Sequence, residues 1–270
     1  MAFLSKKTDR RPGYDNESPL AIELRRVMIR LNRELDLERK RCIMITSSER
    51  GEGKSLFALH FSQVLAHHMQ KRILLVDGDM RRPVQHTVFQ APLAPGLAEF
   101  LSGDASPVAP RKTHLANLDF LPAGRAGDNP SLLLQEGRVR RVFDALKLDY
   151  DVVVLDCPPV VPVSDPLQFV EVCDGAIYLV MAGRTPRDLC ERGVGILRSV
   201  GTNIIGVVAN NLGEVLPYYF DHKYYGYGER RRARRRTDAR RRPGPGTKAP
   251  PAGEAPFFVS GGVAAMRPWP

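Results

Sequence analysis

The chain has no apolar run long enough to cross a bilayer. Its longest stretches, such as Ala176 to Ala182, stop far short of the roughly 20 residues that a spanning helix needs. The start, Met1-Ala-Phe-Leu-Ser-Lys-Lys, offers no apolar core of signal-peptide length, so secretion is not expected. Cysteine is scarce: Cys42, Cys157, Cys173 and Cys190 lie far apart, with no Cys-x-x-Cys pair and no His–Cys grouping. That spacing argues against a disulfide framework and a cysteine-held metal, and suits small buried hydrophobes in a reducing compartment. No internal repeat is visible. A cytoplasmic globular protein is the expectation these absences leave.

Against that background, composition is ordinary, with 43% hydrophobic and 26% charged residues, and 270 residues suffice for one large core plus tails. The charge is uneven. Residues 230–242 hold nine arginines and one aspartate, a local +8 out of the formal +10, so the rest of the chain is close to neutral. Residues 1–18 are polar, contain Pro12 and Gly13, and read as a flexible leader. Ser18 then suits an N-cap and Pro19 the first helical position. Leu20, Leu24, Met28, Leu31 and Leu35 recur at helical spacing, with Arg25, Arg26, Arg30 and Arg33 off that face. An amphipathic helix is predicted over 19–40.

From Arg41 the pattern becomes short apolar runs alternating with helical stretches. Strands are predicted at Cys42–Thr46, Ile73–Val76, Leu118–Leu121, Val152–Leu155, Ala176–Met181 and Ile204–Val208. Helices are predicted near 54–69, 132–147, 164–172 and 186–200. The runs are nearly continuous in Val, Ile and Leu, as in strands covered on both faces. Such alternation gives an α/β fold, a doubly wound and mostly parallel sheet. The domain is expected over 41–216, followed by a tyrosine-rich segment at 217–228 and a disordered basic tail, arginine-rich and then Pro/Gly-rich, at 229–270.

Ser48-Glu-Arg-Gly-Glu-Gly-Lys-Ser55 follows the first strand and opens a helix. It fits the P-loop pattern G-x-x-x-x-G-K-[ST] except that Ser48 stands at the first glycine. Gly51 and Gly53 let backbone N–H groups curl toward phosphate oxygens, and the helix N-terminus adds positive potential. Lys54 reaches the β- and γ-phosphates, and the Ser55 hydroxyl is a ligand for Mg²⁺. An incidental strand–helix turn is the alternative, but the motif stands where the fold requires it. Asp77 and Asp79 end the second strand, and Asp156 ends a later one. All three converge on the P-loop if ligands bind outside the carboxyl ends of the strands. Mg²⁺ takes a few carboxylates plus phosphate and water. A capping role explains one such aspartate well, and three poorly. MgATP is the expected ligand.

These blocks resemble the cytoplasmic catalytic domain of bacterial tyrosine kinases of the capsular and exopolysaccharide type, a P-loop NTPase fold. The resemblance covers roughly 40–228, through Thr46-Ser-Ser-Glu-Arg-Gly-Glu-Gly-Lys-Ser55, Leu74-Leu-Val-Asp-Gly-Asp-Met-Arg-Arg-Pro83, Tyr150-Asp-Val-Val-Val-Leu-Asp-Cys-Pro-Pro159, Asp174-Gly-Ala-Ile-Tyr-Leu-Val180 and Gly206-Val-Val-Ala-Asn210. It implies Walker A, A′ and B motifs, with Lys54, Ser55, Asp77, Asp79 and Asp156 at catalytic positions. Glu49, Arg50, Gly51, Glu52, Gly53, Lys54, Ser55 and Leu56 surround the nucleotide, and Asn210 sits where the adenine is touched. Ser55, Asp77 and Asp156 are the implied metal ligands, with Asp79 first choice as base and Asp77 as ligand, roles that sequence does not separate. Arg50 replaces a common proline and Cys157 a common threonine. The family's Glu-x-x-Arg-x-x-Arg helix motif, tied to ring-like self-association, is imperfect: Glu23 and Arg26 fit, but Ile29 follows, with Arg30 one residue late. Partitioning and cell-division ATPases share the sheet but carry a lysine at the place of Glu49, which favours the kinase branch.

Tyr218, Tyr219, Tyr224, Tyr225 and Tyr227 are five of eight tyrosines within ten residues. Resemblance makes them the autophosphorylation sites, presented to a neighbouring chain; an aromatic interface is the alternative. It also implies a membrane-anchored polysaccharide co-polymerase as separate activator. The run from Arg230 to Arg242 is either a solvated segment or a contact for anionic lipid at the inner membrane face. Nucleic acid is not expected, because no base-reading module accompanies it. A nucleotide-gated ATPase switch without kinase activity is the rival to the kinase.

Overall fold

The computed structural model describes residues 18–37, 39, 41–103, 109–211 and 257–258. The first element, α1 (Pro19–Leu35), begins as the sequence implies, with the Ser18 hydroxyl accepting from the Ala21 N–H. It ends sooner than the expected 19–40. Asp36 enters the left-handed region at φ 49°, and Asn32 closes the end by accepting the Asp36 and Leu37 N–H groups on its carbonyl and side-chain oxygens. That turn drives Leu37 into the core, where it is fully buried. The buried stripe is Ala21, Leu24, Val27, Leu31 and Leu35, rotated slightly from the expected one, with Leu20 and Met28 at its margin.

The chain then alternates β1 (Arg41–Ser47), α2 (Lys54–Met69), β2 (Ile73–Asp77), α3 (Gln85–Val88), α4 (Leu97–Ser102), β3 (Arg111–Lys112) and β4 (Leu118–Leu121). There follow α5 (Glu136–Asp149), β5 (Val152–Asp156), a 3₁₀ segment Asp165–Val172, β6 (Gly175–Met181), α6 (Arg187–Ser199) and β7 (Ile204–Asn210). The segment expected as a helix near 164–172 is thus 3₁₀, opened by Asp165-Pro166. The two short helices α3 and α4 and the strand β3 carry too few residues to show a period.

With β8 at Phe257–Phe258, the sheet runs β3-β4-β2-β5-β1-β6-β7-β8, every neighbour from β4 to β7 being parallel. Period-two alternation splits its side chains between two cores. Cys42, Met44, Val153, Leu155, Ala176 and Tyr178 face α4, α5 and α6. Ile43, Ile45, Val152, Val154, Ile177 and Leu179 face α1 and α2. Each fully buried aliphatic or aromatic side chain contributes ~1.5–3 kcal/mol, so both faces must be covered. That explains the continuous apolar strands.

The last strand, β8 (Phe257–Phe258), lies within the stretch expected to be disordered. It pairs antiparallel with Ala209 and Asn210 of β7. It covers only the last two residues of the β7 edge, and two adjacent phenylalanines suit a strand. The leader, the tyrosine segment Tyr218–Tyr227 and the run Arg230–Arg242 lie outside the described residues.

Candidate functional site

β1 is the centre of the sheet, with β5 on one side and β6 on the other. The connection from β1 runs toward β2 and that from adjacent β5 toward β6, in opposite directions. The crevice beyond the carboxyl ends of these two strands is where open α/β sheets bind ligands. The loop from Ser48 to Gly53 crosses that crevice. Gly51 (φ 79°) and Gly53 (φ 90°) both occupy the left-handed region, which a side chain would strain. Gly53 caps α2 without a side-chain bond, so the first-turn N–H groups of α2 point outward at a positive helix end.

The loop is braced from inside. The carboxylate of buried Glu52 accepts the Glu49 N–H at 2.7 Å and the Thr185 hydroxyl. The Glu52 carbonyl accepts Asn210 Nδ2 at 3.1 Å. Ser47 Oγ donates to the Glu49 carbonyl, and Ser48 Oγ lies 2.8 Å from the Tyr178 hydroxyl in the core. Ser48, at the place of the first P-loop glycine, is therefore a tie to β6. Glu49 and Ser55 are partly exposed, while Arg50, Gly51 and Leu56 reach solvent.

Two carboxylates meet beneath the loop. Asp77 and Asp156 end β2 and β5 and are register partners, both fully buried. Asp77 Oδ2 accepts the Val84 and Gln85 N–H groups at 3.2 and 3.1 Å. Asp156 Oδ2 accepts Gln85 Nε2 at 2.9 Å, and the Gln85 amide also donates to the Ser55 carbonyl at 2.8 Å. The second oxygen of each, Asp77 Oδ1 and Asp156 Oδ1, is buried with no hydrogen-bond partner among the described residues. Burial pushes the Asp77 carboxyl well above the usual carboxylate range, and the Asp156 charge adds to it. Burial likewise pushes Asp156 up to about 6, against bonds from Ser55 and Gln85 and the attraction of Lys54. Asp79 is also raised, chiefly by burial, although the Arg82 N–H and Lys54 pull it down. Lys54 is nearly buried among them, its pKa lowered by desolvation in spite of the fields of Asp156, Asp79 and Glu52.

Lys54, Ser55, Asp77, Asp79 and Asp156 thus come to one place. Asn210 stands at the end of β7, its amide directed to the P-loop carbonyl. Several partners were missed in the sequence. Gln85, 1% exposed, spans the Ser55 carbonyl and Asp156. Arg81 is clamped by Asp165 at 2.7 and 3.1 Å and by Ser131 at 2.7 Å, fixing the turn after Asp79. No spacing rule announces these side chains. They act through contacts between elements far apart in sequence.

No protein-family model matches the chain. It is 31% identical over 206 residues to a tyrosine-protein kinase, CpsD, of Streptococcus agalactiae, an alignment spanning 76% of this chain and 90% of the relative. Among solved structures it resembles the chimerical protein CapA2B2, with a TM-score of 0.67 and 30% identity over 71% of this chain and 84% of that one. It also resembles the septum site-determining protein MinD of Pyrococcus horikoshii, solved with Mg-ADP, with a TM-score of 0.54 and 26% identity over 65% and 72% of the two chains.

Proposed function

The chain belongs to the bacterial tyrosine kinase family, and on that footing we propose that it is an ATP-dependent autokinase regulating capsular or exopolysaccharide biosynthesis. The observation that carries the chemistry is the meeting of the P-loop lysine with two in-register, buried aspartates, each keeping one oxygen unpartnered.

The first-turn N–H groups of α2 would hold the nucleotide phosphates, with Lys54 available to the β- and γ-phosphates. Glu49 to Leu56 line the nucleotide, and Asn210 fixes the loop and borders the adenine. Mg²⁺ fits the two orphaned oxygens: buried carboxylates raised by desolvation are relieved by a cation. Asp77, Asp156 and Ser55 would hold it. Among the described residues no cluster of three or more His, Cys, Asp or Glu can hold a metal alone, so phosphate and water would have to supply further ligands. When bound, the ion neutralises charge on the phosphate oxygens.

In the transfer, the bond between the γ-phosphorus and the β-phosphate bridging oxygen breaks as the tyrosine oxygen bonds to phosphorus. ADP leaves, and the phenolic proton passes to Asp79. A phenol of pKa ~10 needs such a base, and burial strengthens Asp79 for the task. The acceptors are Tyr218, Tyr219, Tyr224, Tyr225 and Tyr227 of a neighbouring copy. In α1, Glu23 is buried and paired with Arg26, while Ile29 is 53% exposed at the motif's third place, so self-association runs through an altered surface. Among the described residues no helix is long and apolar enough to cross a membrane. The proposed address is cytoplasmic, at the inner membrane face, beside a membrane-anchored co-polymerase-type activator.

The test is mass spectrometry of residues 218–227 after incubation with MgATP and the activator. Phosphotyrosine is expected in the wild type and none in Lys54→Met, whose circular dichroism should be unchanged, because the lost charge stabilises the transferring group. ATP hydrolysis without phosphotyrosine would leave an ATPase switch instead.

A further inference from the structure

Beside Asp79 a narrow cleft opens between the P-loop and the segment after β5. It is lined by Arg50, Asp79, Arg81, Arg82, three prolines (Pro158, Pro159 and Pro162) and Val163. Proline rings give it a rigid apolar wall of the kind an aromatic ring packs against. Its cations are of two kinds. Arg81 is exposed, but its guanidinium is engaged by Asp165 and Ser131. Arg82 is exposed at the mouth, while its backbone N–H holds Asp79 Oδ1 at 3.0 Å. Arg50, on the P-loop, also lines the cleft and is exposed. Among the described residues neither Arg50 nor Arg82 is ion-paired. Among the described residues the only carboxylate lining the cleft is Asp79.

An acidic ligand is therefore indicated, and the sequence holds one that is acidic only conditionally. Residues 218–228 carry one aspartate and one lysine, so unmodified they are close to neutral. Each phosphate would add about −1.5 to −2 charges and strong acceptors for guanidinium forks. Every tyrosine of the cluster has another within two residues. A phosphate made in one turnover would therefore stand beside the next acceptor hydroxyl.

We propose that Arg82, together with Arg50, forms a phosphate-reading rim, so that the cleft prefers a tyrosine segment already bearing a neighbouring phosphotyrosine. The inference rests on the autokinase reading for the identity of the occupant. Its consequence is a cluster that fills in a primed order, slow for the first phosphate and faster for those that follow.

Binding, measured without turnover, separates the two ideas. A fluorescein-labelled peptide of residues 217–228, unmodified or phosphorylated at Tyr225, is titrated with the full chain holding a non-hydrolysable ATP analogue. The phosphopeptide should bind about fivefold more tightly, as exposed charge pairs allow, and the advantage should shrink in high salt. Arg82→Ala should remove most of it while leaving the unmodified peptide and the nucleotide bound as before. Equal binding of the two peptides by the wild type would overturn the proposal. So would an advantage that survives in the Arg50→Ala/Arg82→Ala protein, which would move recognition to the run at Arg230–Arg242. A chain that shows the preference yet never autophosphorylates would count against the kinase reading alone.

Discussion

At the scale of residues, the site holds acidic groups where burial disfavours their charge. Asp156 is pushed up to about 6, and Asp77 and Asp79 are raised as well, desolvation being the first cause in each. The sign follows from linkage. Between the ordinary carboxylate value near 4 and about 6, the metal-free native state holds protons that the unfolded chain has lost. Through Asp156 its stability therefore falls as pH rises across that window, and the raised Asp77 and Asp79 carboxyls act in the same direction. Thermal melts of metal-free protein between pH 4 and 7.5 should show that fall, and Asp156→Asn should flatten it. Added Mg²⁺ and nucleotide should restore stability above pH 6, since they bind the ionised pair. Asp79→Asn should lower phosphoryl transfer at least ~100-fold, the usual scale of a lost general base, with nucleotide affinity changed far less. Full transfer by that variant would remove Asp79 as the base.

Among elements, the P-loop is held by its neighbours as much as by its own glycines. Glu52 is tied to Asn210 and Thr185, and Ser48 to Tyr178. Tyr178 has room only because α6 offers Gly193, where an added Cβ would lie 1.9 Å from the phenolic oxygen. Gly193→Ala must therefore displace a fully buried ring, at ~1–3 kcal/mol for an overpacked core, and draw Ser48 with it. A lower melting temperature and weaker nucleotide binding are expected together. Tyr178→Phe in the same chain should return part of the lost stability, since it removes the clashing oxygen, and a double-mutant cycle measures that coupling. Additive losses would show that α6 and the P-loop are not linked through this ring.

On the whole molecule, charge is segregated: +8 of the net +10 sits in residues 230–242. Anionic lipid attracts such a run by ~1 kcal/mol per basic residue near the surface. Phosphates on Tyr218–Tyr227 would lie next to it, Tyr227 only three residues from Arg230. With a Debye length of about 8 Å, adjacent charges are the ones that count. Unphosphorylated protein should co-sediment with anionic vesicles at low salt, and autophosphorylated protein should be released. An Arg-to-Ala tail variant should not bind in either form. Equal sedimentation of all three would return the run to a solvated segment.

What the sequence alone determined is what local chemistry and period encode. Continuous apolar strands, the Gly-x-Gly-Lys-Ser turn and aspartates at strand ends specify a parallel α/β sheet with a phosphate loop. Strand centres such as Leu118–Leu121 could be placed to the residue. The boundaries that slipped were set by single side chains, as when Asn32 closes α1 at Leu35. Tertiary structure alone decided the strand order, the register that sets Asp77 against Asp156, and the oxygens left over for a cation. It also decided that Gln85, Asp165, Tyr178 and Gly193 support the site. The physical reason is distance along the chain: Ser48 and Tyr178 meet across 130 residues. No local pattern records such a contact, because it exists only once both faces of the sheet are packed.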